Sequence, residues 1–258
     1  MTTNRAALPE FHVDSAVHAG NASRHWKNAM LSLGNPLQRV SGLIALSLVV
    51  TLCAAILLAK ADLDRMERIA MSRHGPETAL TVGRWRAMLD ALGALDDRQK
   101  IERVNAYFNR LARWRQDIDI WQQHDYWATP LELMARREGD CEDFSIAKYM
   151  TLLLAGVDVH KMRITYVKAR LGGNYGNVTQ AHMVLAYYPT PNADPLILDN
   201  MISEVRPASQ REDLKPVFGF NSEGLWVGGS SAPAINNPAA RLSRWRDLLR
   251  RMAADGLG

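Results

Sequence analysis

The chain has 258 residues, 47% of them apolar and 22% charged, with a formal charge of +4 at pH 7. That composition builds the core of one domain with attached tails and excludes two large domains. The arginine excess sits in short clusters near the two ends, and there is no internal repeat, C-x-x-C pair or Gly-rich phosphate loop, which argues against a nucleic-acid partner.

In the arm formed by residues 1–39, Arg5, Arg24, Lys27 and Arg39 outnumber Glu10 and Asp14. From Val40 to Ala59 the chain reads VSGLIALSLVVTLCAAILLA, without a charge, between Arg39 and Lys60. Such a run is long enough to span a bilayer as a helix. The positive-inside rule keeps residues 1–39 cytoplasmic and exports everything after Lys60. Ala59-Lys60-Ala61 has the small-x-small form of a signal-peptidase site. The segment 40–61 is therefore a membrane signal anchor or a cleaved signal peptide, ahead of an exported domain at 62–258. Met30 is an alternative start that gives a leader of ordinary length, and Leu52 before Cys53 does not suit a lipoprotein signal. After export without the leader, Cys141 is the one thiol left. It has no partner for an internal disulfide, which makes it a candidate reactive group.

Residues 62–116 carry apolar positions at three- and four-residue spacing in three segments, ADLDRMERIAMSRHG, PETALTVGRWRAMLDALG and DDRQKIERVNAYFNRLARW. A polar, aromatic loop follows, RQDIDIWQQHDYWATP, then a short helix at Leu131–Ala135 and a break at Gly139-Asp140. The next helix is expected from about Cys141 to Leu154, ending at Gly156. Beyond it MRITYVKAR, AHMVLAYY and PLILDN read as strands, with GGNYGN and NADP as turns, and LKPVFGFNSEGLWVGG gives one or two more. RLSRWRDLLRRM closes the pattern as an amphipathic helix with Leu242, Trp245, Leu248, Leu249 and Met252 on one face. Helices first and an antiparallel sheet second predict an α+β domain.

Cys141 is expected at the start of a helix, where unpaired N–H groups and the macrodipole favour a thiolate. His182 is expected at the start of one strand and Asp199 at the end of another. Neighbouring strands can bring both to one helix start, which is the layout of a Cys-His-Asp relay in which the imidazole takes the thiol proton and the carboxylate orients the imidazole.

DYWATPLEL, GDCEDFSIAKYMTLL, MRITYVKA, AHMVLAYY and PLILDN, in this order, resemble the LapG-type periplasmic bacterial transglutaminase-like cysteine proteinases over roughly residues 78–227. The resemblance implies a papain-like or transglutaminase-like fold, helices packed on an antiparallel sheet, with catalytic roles for Cys141, His182 and Asp199. It also implies calcium, held by Asp140, Glu142 and Asp143. Alone these acids read as first-turn helix residues, yet beside a nucleophile they raise its pKa unless a cation offsets them. Calcium takes ~6–8 oxygens, so a nearby loop must help, and Asp117, Asp119, Asp125 and Asn105 are available. An oxyanion hole would use the Cys141 N–H and a donor from the DYWATP loop, with Trp127 a candidate.

The activity implied is that of a calcium-dependent periplasmic endopeptidase. It would trim the N-terminal region of a large, LapA-like repeat adhesin next to paired alanines and so release cells from a biofilm. Its implied partner is a LapD-like inner-membrane receptor that sequesters the protease when cyclic-di-GMP is high. Thioester chemistry is shared with transamidation and amide hydrolysis, so an amidase or acyltransferase is the rival enzyme. A catalytically silent binding module would be expected to lack a triad residue, and none is missing.

Overall fold

The computed structural model describes residues 61–172, 178–228 and 230–258. The arm 1–39 and the apolar run 40–59 lie outside the described residues; among those described, no helix is long and apolar enough to cross a membrane.

Helix α1 (Leu63–Ile69) starts on Asp62, whose carboxylate accepts the Arg65 N–H at 2.8 Å. It runs into one π-helical turn, Ala70–His74, and stops at Gly75, whose φ of +87° suits glycine. Pro76 then opens α2 (Pro76–Leu92), and Asp96 caps α3 (Asp97–Leu111) by accepting from Gln99 N at 2.8 Å. These are the three expected helical segments.

The stretch expected as loop holds a two-residue strand, β1 (Arg113–Trp114), and a short helix, α4 (Asp117–Trp121), both too brief to show a period in sequence. Thr129 caps α5 (Pro130–Arg136) in a reciprocal box with Glu132. Strand β2 (Glu138–Gly139) pairs parallel with β1, and α6 (Cys141–Leu154) follows at once.

The sheet is antiparallel, in the order β6 (Arg206–Pro207), β5 (Leu196–Leu198), β4 (Val178–Tyr187), β3 (Met162–Leu171), β7 (Leu214–Phe220), β8 (Gly224–Val227), β9 (Ile235–Asn236). LKPVFGFNSEGLWVGG thus gives two strands. Strands β3 and β4 pair along their whole length, from Met162 with Tyr187 to Leu171 with Val178. This pairing starts β4 three residues earlier than its hydrophobic pattern does, because backbone bonding recruits exposed Thr179 and Gln180. His182 is therefore inside its strand rather than at its start.

Helix α6 is buried without interruption from Asp143 to Leu152, with the sheet on one side and α3 and α5 on others. Its Ile146, Ala147 and Tyr149 share one core with Trp85, Phe108, Leu131, Ile164, Leu185, Phe220 and Trp245. Trp245 comes from the C-terminal amphipathic helix, α7 (Ser243–Ala254). Alternate residues of the sheet build a second, smaller cluster from Val167, Val184, Ala186 and Ile197.

Candidate active site

Gly139 sets the approach to the thiol. A Cβ there would lie 2.7 Å from Leu133 Cδ1 and 2.8 Å from Asp143 Oδ2, so a side chain would push α5 away from the start of α6. Asp143, fully buried, holds the turn: its Oδ1 accepts the Ala128 N–H at 2.7 Å and its Oδ2 the Asp140 N–H at 3.3 Å. One turn into α6, the Ser145 hydroxyl reaches the carbonyls of Cys141, at 2.9 Å, and Met183, at 3.1 Å. The start of α6 is thereby tied to β4 beside His182.

Around Cys141 the carboxylates crowd. Ligand oxygens of Asp117, Asp140 and Asp143 lie within 4.8 Å of one another, as do the ligand atoms of Asp140, Cys141 and Glu142. Burial and the charge of Glu142 lift Asp117 to about 7 and Asp140 to about 12, and push Asp143 well above the usual carboxylate range. Oδ1 of Asp117 and Oδ1 of Asp140 are buried with no hydrogen-bond partner. Acid-rich, all-oxygen and short of donors, this cluster fits a hard divalent cation such as calcium. Of the expected set, Asp140 lies close to Glu142 on one side and to Asp143 on the other, and α4 brings Asp117 to the Asp140–Asp143 side. Asp125 instead pairs with Arg244 at 2.6 Å and accepts from Trp127 Nε1 at 3.1 Å, Asp119 is exposed, and Asn105 donates to the Ser203 carbonyl at 2.9 Å.

The thiol answers to the same acids. Cys141 Sγ donates to Glu142 Oε2 at 2.9 Å, and burial together with Glu142 and Asp140 pushes its pKa well above the ordinary thiol value, against an opposing hydrogen bond from the Met183 backbone. The thiol's hydrogen bond thus goes to Glu142 and not to His182.

The other two expected residues do meet. His182 Nε2 lies 2.8 Å from Asp199 Oδ1, with both side chains almost wholly buried. That leaves His182 Nδ1 for a second partner. Asp199 Oδ1 also accepts the Met201 N–H at 3.0 Å, and its Oδ2 accepts Arg211 Nη2 at 2.7 Å. Burial works against the Asp199 charge, but the bonds from His182, Met201 and Arg211 overcome it and hold the carboxyl below its usual range. From α3, Asn109 Nδ2 secures the Asp199 carbonyl at 2.8 Å. Arg211, Asn109 and Ser145 escaped sequence reading, since nothing local to them signals a contact far along the chain.

Trp127 is placed as packing. Its indole N–H goes to Asp125 and its ring stacks on Phe220 at 5.7 Å, so it is not available as an oxyanion donor. Arg251 of α7 grips the loop through the Trp127 carbonyl, Tyr126 Oη and Glu132.

Residues 89–213, which contain all of these acids, the thiol and the His182–Asp199 pair, match the family model of the bacterial transglutaminase-like cysteine proteinase BTLCP. LapG of Legionella pneumophila is similar in structure over 74% of this chain and 97% of its own, at 37% identity and a TM-score of 0.62. The chain belongs to the bacterial transglutaminase-like cysteine proteinases. Two further structures of this Legionella family member are similar to it at 36% identity and over 74% of this chain. The EGTA-treated form has a TM-score of 0.63 with 97% of that chain covered, and the calcium-bound form 0.62 with 98%. No curated protein sequence matches the chain. Membership of the transglutaminase-like cysteine proteinases makes the protein a cysteine peptidase by family and assigns it their fold, as expected.

Proposed function

We propose that the protein is a calcium-dependent endopeptidase in which Cys141 is the nucleophile, His182 the base and Asp199 the group that orients it. The observation that carries this reading is the buried His182–Asp199 pair, 2.8 Å apart, with His182 on the strand that Ser145 ties to the start of the Cys141 helix. Asp117, Asp140, Glu142 and Asp143 would hold the calcium, which when bound would supply positive charge to offset these acids beside the thiol. The Cys141 proton passes to His182, and the thiolate adds to the carbonyl carbon of the scissile amide. As the C–N bond breaks, His182 returns the proton to the leaving amine; water then cleaves the thioester and restores the thiol. Asp199 keeps Nε2–H of the imidazole fixed throughout, and the Cys141 N–H in the first turn of α6 is the nearest oxyanion donor by its place in the chain.

The substrate we propose is the N-terminal region of a large surface adhesin, cut near paired alanines in the periplasm, so that cutting promotes biofilm dispersal. A cyclic-di-GMP receptor of the inner membrane is the proposed controlling partner. Similarity to LapG supports this, as does the apolar run 40–59 ahead of the domain. The test is to incubate the purified chain and calcium with candidate adhesin N-termini from the same genome and map the products by mass spectrometry. A single cut at an Ala-Ala site, absent with Cys141→Ala, is expected; no cut in any candidate, or an acyl-transfer product instead, overturns the reading.

A further inference from the structure

Strands β3 and β4 turn Arg163, Thr165, Val167, Val184 and Ala186 into a pocket of about 340 Å³. That volume is within the range of small-ligand sites, ~300–1,000 Å³. Val167, Val184, Ala186 and Ile197 give it an aliphatic lining, and Arg163 and Arg211 bring two cations to it.

Both arginines are buried, at 5% and 4% exposure, and among the described residues each keeps one N–H without an acceptor: Nε of Arg163 and Nη1 of Arg211. Arg163 lies between the rings of Tyr188 and Trp226, 4.3 Å from each centroid, and gives Nη1 to the Ser230 carbonyl at 2.9 Å. Burial pulls its guanidinium below the ordinary arginine range. Held by rings and a carbonyl, with a donor unused, this buried cation has no carboxylate against it among the described residues. Arg211 is better provided, binding Asp199 and Asp213, yet its Nη1 is also unused.

We propose that this pocket binds a small carboxylate with an apolar body, the carboxylate meeting the unused N–H groups of Arg163 and Arg211 and the body meeting the aliphatic lining. A guanidinium fork matches a planar carboxylate, and the lining rewards a hydrocarbon that inorganic phosphate lacks. Since Arg211 also holds Asp199, the ligand shares a guanidinium with the His182–Asp199 pair, and the site lies one side chain away from that pair.

The test is calorimetric titration of the full chain with hexanoate, and with hexanamide and inorganic phosphate as neutral and non-apolar probes. Saturable hexanoate binding is expected, weaker by about tenfold or more for hexanamide and for phosphate. Arg163→Gln should weaken hexanoate by a similar factor. Ala208→Phe, which fills the pocket and leaves both arginines in place, should abolish it, with an unchanged circular dichroism spectrum establishing that each variant is folded. Equal binding of hexanoate and hexanamide, phosphate binding without hexanoate binding, no saturable binding at all, or hexanoate binding that survives in the folded Ala208→Phe chain would each overturn the proposal.

Discussion

Two acidic sites, the cluster at the start of α6 and Asp199 beside His182, face opposite conditions. Asp117, Asp140 and Asp143 share a small volume, with Glu142 close to Asp140; among the described residues no lysine or arginine pairs with them, and their pKa values rise. Asp199, as deeply buried, is met by His182, the Met201 N–H and Arg211, and its pKa falls. Burial is common to both, so it does not decide the outcome; the supply of donors and positive charge does. The chain balances the charge of one site by itself and, among the described residues, leaves the other without a counter-charge.

The contrast breaks most completely if the ion can be dispensed with. EGTA is expected to abolish peptide cleavage and added calcium to restore it, while magnesium, smaller and stricter about octahedral geometry, does not. Cleavage at full rate in excess EGTA would make the acid cluster an ordinary helix start.

A finer cut separates the two sets by substitution. Asp199→Asn is expected to lower kcat by ~10²–10⁴ while calcium affinity is unchanged, because the loss is in orienting a base. Asp117→Asn is expected to weaken calcium binding, with activity recovered at high calcium. The contrast fails if calorimetry and kinetics show the reverse pattern.

Removing Arg211 should turn Asp199 toward the condition of the acid cluster. Arg211→Met is expected to cost ~3–5 kcal/mol in denaturant unfolding, the range for a buried carboxylate deprived of its partner. A loss no larger than that of an exposed ion pair would show that His182 and the Met201 N–H suffice.

Acidity distinguishes the sets again. Asp117 in the folded, metal-free protein is raised to about 7. It binds a proton there that the unfolded chain has already released, so metal-free stability falls as pH rises from about 4 to about 7. Asp199, held low, contributes stability above about 4 that is lost as pH falls further. Melting temperatures across pH should show the first slope in EGTA and not in calcium.

The smallest expected effect concerns Lys148, which burial lowers to about 7 although the Asp199 charge opposes the shift. Between about 7 and about 10 the unfolded chain holds the proton that folded Lys148 has lost, so stability rises with pH over that window. Lys148→Met is expected to remove the rise and lift the melting temperature by a few degrees, on the scale of ~2–4 °C per kcal/mol. An unchanged pH profile would mean that the ammonium is already well solvated or paired.

What the sequence made legible follows from range. The start of α6 at Cys141, the strands around His182 and before Asp199, and the α+β order are written in local periodicity and turn chemistry. That Asp140, Glu142 and Asp143 fall within one turn is equally local, whereas their role as calcium ligands comes from the family resemblance. Asp117 is one of four candidates, with Asp119, Asp125 and Asn105, among which the sequence does not choose, and Arg211 carries no local signal, because what recruits both is tertiary: α4 is too short to announce itself, and Arg211 follows a 3₁₀ turn, Ala208–Gln210, after a two-residue strand. His182 was placed on the right strand but at the wrong point in it, since exposed Thr179 and Gln180 join β4 through the backbone alone.

Ala61 pairs with Leu257, and the Asp62 N–H reaches the Gly256 carbonyl at 2.8 Å. In between, Arg251 grips the loop of Trp127, and Asp255 accepts the Thr129 hydroxyl at 2.7 Å. During synthesis the Arg251 and Asp255 contacts form only after α7 has emerged, well after the residues they hold, although the box between Thr129 and Glu132 needs none of them. A nascent chain that has emerged only as far as Leu242 carries Cys141, His182 and Asp199 but not the clasp on the Trp127 loop, so the order of translation places the steadying of that loop after all three residues have appeared.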